Sequence, residues 1–318
     1  ARAYVTSDAV RGEQVLRPDF TAPVVQKHMD RSGNGSEPAR YTYSGEVFRR
    51  QEDDPSKPNE YTQVGFEVFD RKNPAAADAE VFALIHQALG NLKIRAATGD
   101  IGVLKAAVAG LDTTQRRKSA LMRHIWRPRR FRALLDRFSG RSPVPPSREA
   151  LLADDAPLDH AFSVIGLRRQ SEIAARIAAL HEDAETPPIS KGQVELIEAI
   201  LNVREKLPFA LEQLRDIAVD MPAISESVFC IKDRIEALEA RGIDVETLEF
   251  EASYGRTSME YYDGFVFGFY SDSHPGTPPV ASGGRYDALT RVLGMGREIP
   301  AVGGVIRPGL LLELEGDL

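Results

Sequence analysis

The sequence predicts an α+β fold, in which helices flank a sheet and a long helical region is inserted between its strands. Strand-like segments rich in aromatic and β-branched residues occur between residues 41 and 69 and again after residue 247. Most of the chain between them carries apolar residues at helical spacing. Strands from both ends of the chain are therefore expected to close one sheet. We assign residues 1–110 and 240–318 to this discontinuous domain, and residues 111–239 to a mainly helical intervening region.

The composition indicates a soluble globular protein of 318 residues with 42% hydrophobic and 27% charged residues. The sequence holds no apolar run near 18 residues, so we predict no membrane-spanning helix. Its net charge of −7 argues against a polyanion as the main partner. The single cysteine, Cys230, excludes an internal disulfide and favours a cytoplasmic location. Its apolar neighbours predict a buried packing role.

The first informative element is the segment Leu16-Arg17-Pro18-Asp19-Phe20-Thr21. Pro18 predicts a turn, and an apolar run of helical character follows it. Asp19 or Thr21 could cap that helix by accepting hydrogen bonds from its free amides. The same carboxylate and hydroxyl could instead hold the ammonium group of a ligand.

Two strands are predicted at residues 41–49 and 61–69, joined by a charged loop. On the second strand Gln63, Gly65 and Glu67 lie on one face, because side chains alternate along a strand. This face is either solvated or a shallow polar cleft, and the pattern alone favours solvation.

Helices are predicted at residues 79–92, 101–111, 148–182 and 190–241. Residues 115–141 stand out because they contain ten basic residues and almost no acid. Three interpretations remain open for this segment. It could be a solvated helical face, a surface that docks on an acidic protein, or a nucleic-acid-binding patch.

The C-terminal third returns to strands and contains the segment Gly283-Gly284-Arg285-Tyr286-Asp287. Paired glycines let a backbone approach a ligand closely, although they more often mark a turn. No phosphate-binding loop, serine-hydrolase motif or paired metal-ligand spacing is present, so we predict no catalytic residues, metal or cofactor. The remaining acids, arginines, amide and tyrosines suit recognition of an amino acid.

Five motifs occur along the chain in the order seen in histidyl-tRNA synthetase, and the sequence resembles that family from about residue 10 to residue 305. The resemblance implies a class II aminoacyl-tRNA synthetase-like antiparallel sheet with flanking helices and a helical insertion. The motifs, which would form the ATP- and histidine-binding segments, lie at residues 16–21, 43–49, 63–67, 261–264 and 283–287.

The segment after Gly303 departs from the synthetase pattern, in which a helix carries an arginine for ATP. Pro308 and Gly309 stand where that helix should run, and Leu310 lies near the expected arginine. We also expect the anticodon-binding domain to be missing. With these departures, the sequence resembles the synthetase paralogue that serves as the regulatory subunit of ATP phosphoribosyltransferase.

That resemblance implies a non-catalytic subunit in histidine biosynthesis. Such a subunit binds L-histidine for feedback control, and it activates the short-form catalytic subunit within a hetero-oligomer. We also expect it to self-associate as a dimer and to bind no tRNA.

The resemblance implies roles for individual residues in a histidine site. Glu67, with Tyr261 or Tyr262, would hold the imidazole, while Asp19 and Thr21 would bind the ammonium group.

The resemblance places four further residues in the same site. Gln63 would lie between the ammonium and carboxylate groups, and Arg256 would bind the carboxylate. Arg49 matches the arginine of class II motif 2, and Tyr286 completes the set. Two other functions stay open: a truncated histidyl-tRNA synthetase, and a nucleic-acid-binding module acting through residues 115–141.

Overall fold

The computed structural model describes residues 3–31, 37–51, 58–90, 92–158, 166–256, 261–274 and 276–316. Its central feature is a sheet of eight strands, which confirms that segments from both ends of the chain form one sheet. These strands are β3 (Ala39–Phe48), β4 (Glu60–Phe69), β5 (Ile94–Asp100), β6 (Arg204–Lys206), β7 (Glu249–Glu251), β8 (Phe265–Ser271), β9 (Ala281–Arg285) and β10 (Ala301–Ile306). A separate hairpin consists of β1 (Val5–Asp8) and β2 (Gly12–Val15).

The strand order in the large sheet is β3-β4-β10-β9-β8-β5-β7-β6. Neighbouring strands are antiparallel except for β5 and β7, which are parallel. The order brings β10, from the C-terminal end, between the hairpin strand β4 and the glycine-rich strand β9. β10 itself carries none of the five motifs, but it places the motif-bearing strands β4 and β9 on its two sides.

Twelve α-helices lie in the described part of the chain. They are α1 (Thr21–Arg31), α2 (Pro74–Leu89), α3 (Ile101–Gly110), α4 (Gln115–Arg123), α5 (Pro128–Phe138), α6 (Pro146–Ala153), α7 (Gln170–Glu185), α8 (Lys191–Asn202), α9 (Leu207–Asp220), α10 (Ser225–Glu239), α11 (Asp287–Leu293) and α12 (Pro308–Gly316). A search of these helices for one with the length and apolar character of a membrane span finds no candidate.

Helix α2 anchors the sheet to the hydrophobic core. Asn73 caps the helix by accepting a hydrogen bond from Ala76 N at 3.0 Å, and Pro74 occupies the first turn, where a missing N–H costs nothing. Its Phe82 ring packs against aromatic rings along β8, with centroids 5.3 Å from Phe267 and 5.0 Å from Phe269. Residues 111–239 contain α4 to α10 together with β6, which lies at the edge of the sheet. The proposed division into domains stays a prediction.

Two local predictions were wrong. Cys230 is exposed on α10, because the buried stripe of that helix runs through Val228, Ile231 and Leu238. Apolar neighbours in sequence point in different directions around a helix. Pro308 also does not interrupt the C-terminal helix. It begins α12, where the first-turn position tolerates proline, and Leu311 N donates to Arg307 O at 3.2 Å.

Five of the ten basic residues in segment 115–141 form ion pairs with acids of α7 and α8, which the sequence did not indicate. Asp183 accepts hydrogen bonds from Arg117 at 2.6 Å, Arg148 at 2.7 Å and Arg137 at 3.0 Å. Burial opposes ionisation of Asp183, but these arginines lower its pKa to about 2. Further ion pairs are Arg116–Glu182, Arg132–Glu198 and Arg141–Glu198. These five arginines are therefore already paired with carboxylates, and the three interpretations of the segment stay predictions.

Candidate ligand-binding site

The site is built around Glu67, whose side chain is only 1% exposed. On β4 it lies opposite Tyr41 of β3 and Gly303 of β10, so strands on both sides bury it. Gln63 and Gly65 lie on the same buried face. This arrangement supports a polar cleft and excludes the solvated face that the sequence pattern alone favoured.

Three hydroxyl groups donate hydrogen bonds to the Glu67 carboxylate. Thr21 Oγ1 and Tyr43 OH lie 2.8 and 3.0 Å from Oε1, and Tyr286 OH lies 2.6 Å from Oε2. Burial raises the pKa of Glu67 to about 7, although the three hydroxyl donors act in the opposite direction. Glu67 can therefore change its charge near neutral pH and accept a further donor from a ligand.

A narrow cavity of about 30 Å³ opens beside Glu67, with room for only a few water molecules. Its lining comprises Asp19, Thr21, Arg49, Gln63, Tyr261, Tyr262, Ser282, Tyr286, Gly303, Gly304, Val305 and Arg307. Seven of the nine predicted binding residues are in this lining, and Glu67 lies directly behind Thr21 and Tyr286. The structure does not bring Arg256 to the cavity.

Glycine at position 303 permits the close approach of β10 to Glu67. A Cβ atom at this position would overlap Glu67 Oε2. The same holds on β4, where the Tyr43 ring covers Gly65 and would collide with any side chain there. The strand glycines therefore create the space in which the carboxylate and its phenol partner meet.

The tyrosines form the aromatic wall of the cavity. The Tyr261 ring centroid lies 4.9 Å from that of Tyr262 and 6.1 Å from that of Tyr286. Burial raises the pKa of both Tyr261 and Tyr286 well above the ordinary value, with further contributions from neighbouring phenols and Glu67. Both phenols stay neutral, and Tyr286 donates a hydrogen bond to the Glu67 carboxylate.

Gln63 carries an unmet acceptor. It is 1% exposed, it lines the cavity, and its Oε1 has no hydrogen-bond partner among the residues that the structure describes. An orphaned buried polar atom at a cavity wall is suited to a ligand donor. The sequence left two roles open for Asp19, a helix cap and a ligand-binding residue, and its position fits both. Its Oδ1 accepts from Ala22 N at 3.3 Å at the start of α1, and the residue also lines the cavity.

Arg256 is held elsewhere, against the helical region. Its Nε donates to Ile125 O at 2.8 Å, and its guanidinium lies 5.0 Å from the Phe131 ring centroid. Burial, followed by the charge of Arg132, lowers the pKa of Arg256 to about 10.

Arg285 also has a structural role rather than a place in the cavity. It donates to Asp78 Oδ1 at 2.6 Å and to Asp287 at 3.0 Å. Asp78 accepts in turn from Arg234 at 2.9 Å, and Arg234 pairs with Asp100 at 3.0 Å. This buried network joins α2 and α10 to the sheet beneath the site.

The sequence interpretation overlooked three residues whose polar side chains lie at the site, namely Tyr43, Ser282 and Arg307. It also overlooked the lining residues Gly303, Gly304 and Val305 of β10. Tyr43 lies within a motif that had been recognised, and its contact with Glu67 follows from the β3–β4 register, in which Tyr43 is opposite Gly65. For Arg307, the position directly after β10 was the available signal.

Comparisons with known proteins identify the family of the chain. The family described as histidyl-tRNA synthetase matches residues 4–171 and 165–308. An ATP phosphoribosyltransferase regulatory subunit from Agrobacterium fabrum is 31% identical, over 95% of this chain and 83% of that protein. One from Brucella ovis is 28% identical, over 99% of this chain and 87% of that protein.

Two solved structures show the same fold. One is an ATP phosphoribosyltransferase regulatory subunit/histidyl-tRNA synthetase from Bacillus halodurans, with a TM-score of 0.67, 24% identity, and coverage of 98% of this chain and 68% of that chain. The other is histidyl-tRNA synthetase from Nostoc sp. PCC 7120, with a TM-score of 0.61, 17% identity, and coverage of 99% and 62%. The class II synthetase-like fold is thus confirmed, and the chain belongs to the histidyl-tRNA synthetase-like family of ATP phosphoribosyltransferase regulatory subunits.

Proposed function

We propose that this chain binds L-histidine in the cavity beside Glu67 and thereby controls an ATP phosphoribosyltransferase catalytic subunit. The observation that carries the proposal is the buried Glu67 carboxylate, which three hydroxyl groups orient beside a cavity. An imidazole N–H is a matching donor for this carboxylate. Asp19 and Gln63 Oε1 offer acceptors for an ammonium group in the same cavity.

Control by histidine follows from the size of the cavity. A volume of about 30 Å³ is far smaller than that of ordinary ligand pockets, so histidine can enter only when the lining side chains move apart. Histidine would therefore favour a more open state of the subunit. A coupling of roughly 1–3 kcal/mol to the catalytic partner is typical of such linkage.

The proposed subunit does not itself catalyse a reaction. Leu310, a residue without charge, lies near the position where the resemblance expects an ATP-binding arginine. We propose that the chain works in the cytoplasm in a hetero-oligomer with the short-form catalytic subunit, which it activates, and that it self-associates as a dimer. The net charge of −7 and the paired arginines of residues 115–141 support the absence of tRNA binding.

Calorimetric titration with L-histidine tests the binding proposal. Wild-type protein should bind histidine saturably, whereas Glu67→Ala should not bind it. Glu195→Ala, which changes an exposed carboxylate on α8, is the matched control and should bind like wild type. Absence of histidine binding by the wild-type chain, both alone and with the catalytic subunit, would contradict the proposal.

ATP-dependent activation of histidine is the second candidate function. It is favoured by the intact helix α12 and by the two arginines, Arg49 and Arg307, that line the cavity. Histidine-dependent exchange of pyrophosphate into ATP discriminates the two candidates. The regulatory proposal expects no exchange above background.

A further inference from the structure

We propose that Arg307, together with Arg49, binds the carboxylate group of the amino-acid ligand, which is the role that the resemblance implies for Arg256. This inference rests on the proposed histidine site and assigns its anion-binding end. It assigns no ligand contact to Arg256, whose Nε donates to Ile125 O within the helical region.

Arg307 is placed at the cavity by the end of β10. Ile306 pairs with Ala281 of β9, and Arg307 N donates to Val280 O at 2.8 Å. Its Nη1 donates to the carbonyl oxygen of Pro279, which anchors one corner of the guanidinium. An arginine has five N–H donors, so the anchored side chain still has several for a ligand.

The two arginines contact neutral groups. Arg49 Nε donates to Pro18 O at 2.7 Å, and its guanidinium lies 5.8 Å from the Tyr61 ring centroid. Within the described residues neither arginine forms an ion pair with an acidic side chain. Burial and the charge of Arg49 lower the pKa of Arg307, which Tyr61 partly offsets. An anionic ligand group would relieve this repulsion and form charge-assisted hydrogen bonds.

The other groups of the cavity favour a zwitterion over a simple anion. Asp19, the orphaned Oε1 of Gln63 and the carboxylate of Glu67 provide acceptors for cationic or N–H groups. The arginines provide the complementary donors in the same small space. An amino acid carries both kinds of group on one carbon atom, whereas a nucleotide phosphate leaves the acceptors unmet.

The test compares L-histidine with histamine, which lacks the carboxylate, by calorimetry. Wild-type protein should prefer histidine. Arg307→Gln should weaken histidine binding by roughly 10- to 100-fold and leave histamine binding unchanged. Arg307→Lys keeps the charge but loses the planar fork, so it should give an intermediate loss. Arg256→Gln should retain the wild-type preference.

Three results would overturn the assignment of Arg307. One is an unchanged preference for histidine in Arg307→Gln, and another is an equal loss of histidine and histamine binding, which would indicate a structural role. The third is a loss of ATP binding alone, which would make the arginine pair a phosphate site. Thermal melting of each variant establishes that it is folded. Failure of the proposed histidine site can be told apart from failure of the Arg307 assignment, because wild-type protein would then bind neither histidine nor histamine.

Discussion

Gly303 on β10 lies directly opposite Glu67 on β4, and a Cβ atom at Gly303 would overlap Glu67 Oε2. The position of the buried carboxylate therefore depends on the lack of a side chain at Gly303 as well as on its three hydroxyl partners. Because β10 comes from the C-terminal end of the chain, this contact forms only when that distant strand pairs with β4.

The first prediction concerns this contact. Gly303→Ala should displace the Glu67 carboxylate from its hydroxyl donors and weaken L-histidine binding by at least 10-fold, measured by calorimetry. Gly309→Ala is the matched control, since a Cβ at Gly309 has no atom within 4 Å and lies in the first turn of α12. Wild-type affinity in Gly303→Ala would show that the position of Glu67 does not matter for binding.

The second prediction concerns the pH dependence of stability. The unfolded chain releases the Glu67 proton near the ordinary pKa of 4.5, whereas the folded protein keeps it to about 7. The folded state binds more protons in this window, so the contribution of Glu67 to stability falls as pH rises. Glu67→Gln, which stays neutral, should therefore gain stability relative to wild type between pH 5 and pH 8, by about 2–3 kcal/mol.

Urea denaturation of both proteins at pH 5 and pH 8 measures this difference. Other titrating groups, such as Asp287, are common to wild type and variant, so they cancel in the comparison. A free-energy difference that is independent of pH would mean that Glu67 has an ordinary pKa in the folded protein.

The third prediction concerns the ionic network under the site. Asp78 is 1% exposed and accepts from both Arg234 and Arg285. Asp78→Ala leaves two buried guanidinium groups without their shared partner and should cost about 3–5 kcal/mol in the free energy of unfolding. The exposed pair Lys191–Glu195 is the control, and Glu195→Ala should change stability by less than about 1 kcal/mol.

The fourth prediction concerns Asp183, the carboxylate on α7 that pairs with Arg117 and Arg137 of segment 115–141. Asp183→Asn should release the charges of Arg117, Arg137 and Arg148, lower stability by roughly 1–3 kcal/mol, and increase salt-sensitive binding to RNA. Electrophoretic mobility shifts at two salt concentrations measure RNA binding. Tight, salt-sensitive RNA binding by wild-type protein would instead favour the nucleic-acid hypothesis.

Much of the fold and most of the site could be predicted from the sequence, because their signals are local. Strand alternation placed Gln63 and Glu67 on one face, and motif order identified seven residues of the cavity lining. The failures involve distant partners. The acids that pair with arginines of residues 115–141 lie on α7 and α8. Arg256 donates a hydrogen bond to the backbone oxygen of Ile125. Sequence spacing contains no information on such contacts.

The most direct test of the account is L-histidine inhibition of ATP phosphoribosyltransferase activity, reconstituted from the catalytic subunit and this chain. We predict that wild-type and Glu67→Gln chains both activate the catalytic subunit. Histidine should inhibit the wild-type complex and inhibit the Glu67→Gln complex at least 10-fold more weakly, because the variant lacks the carboxylate that accepts from imidazole. Equal sensitivity of the two complexes to histidine would contradict the account.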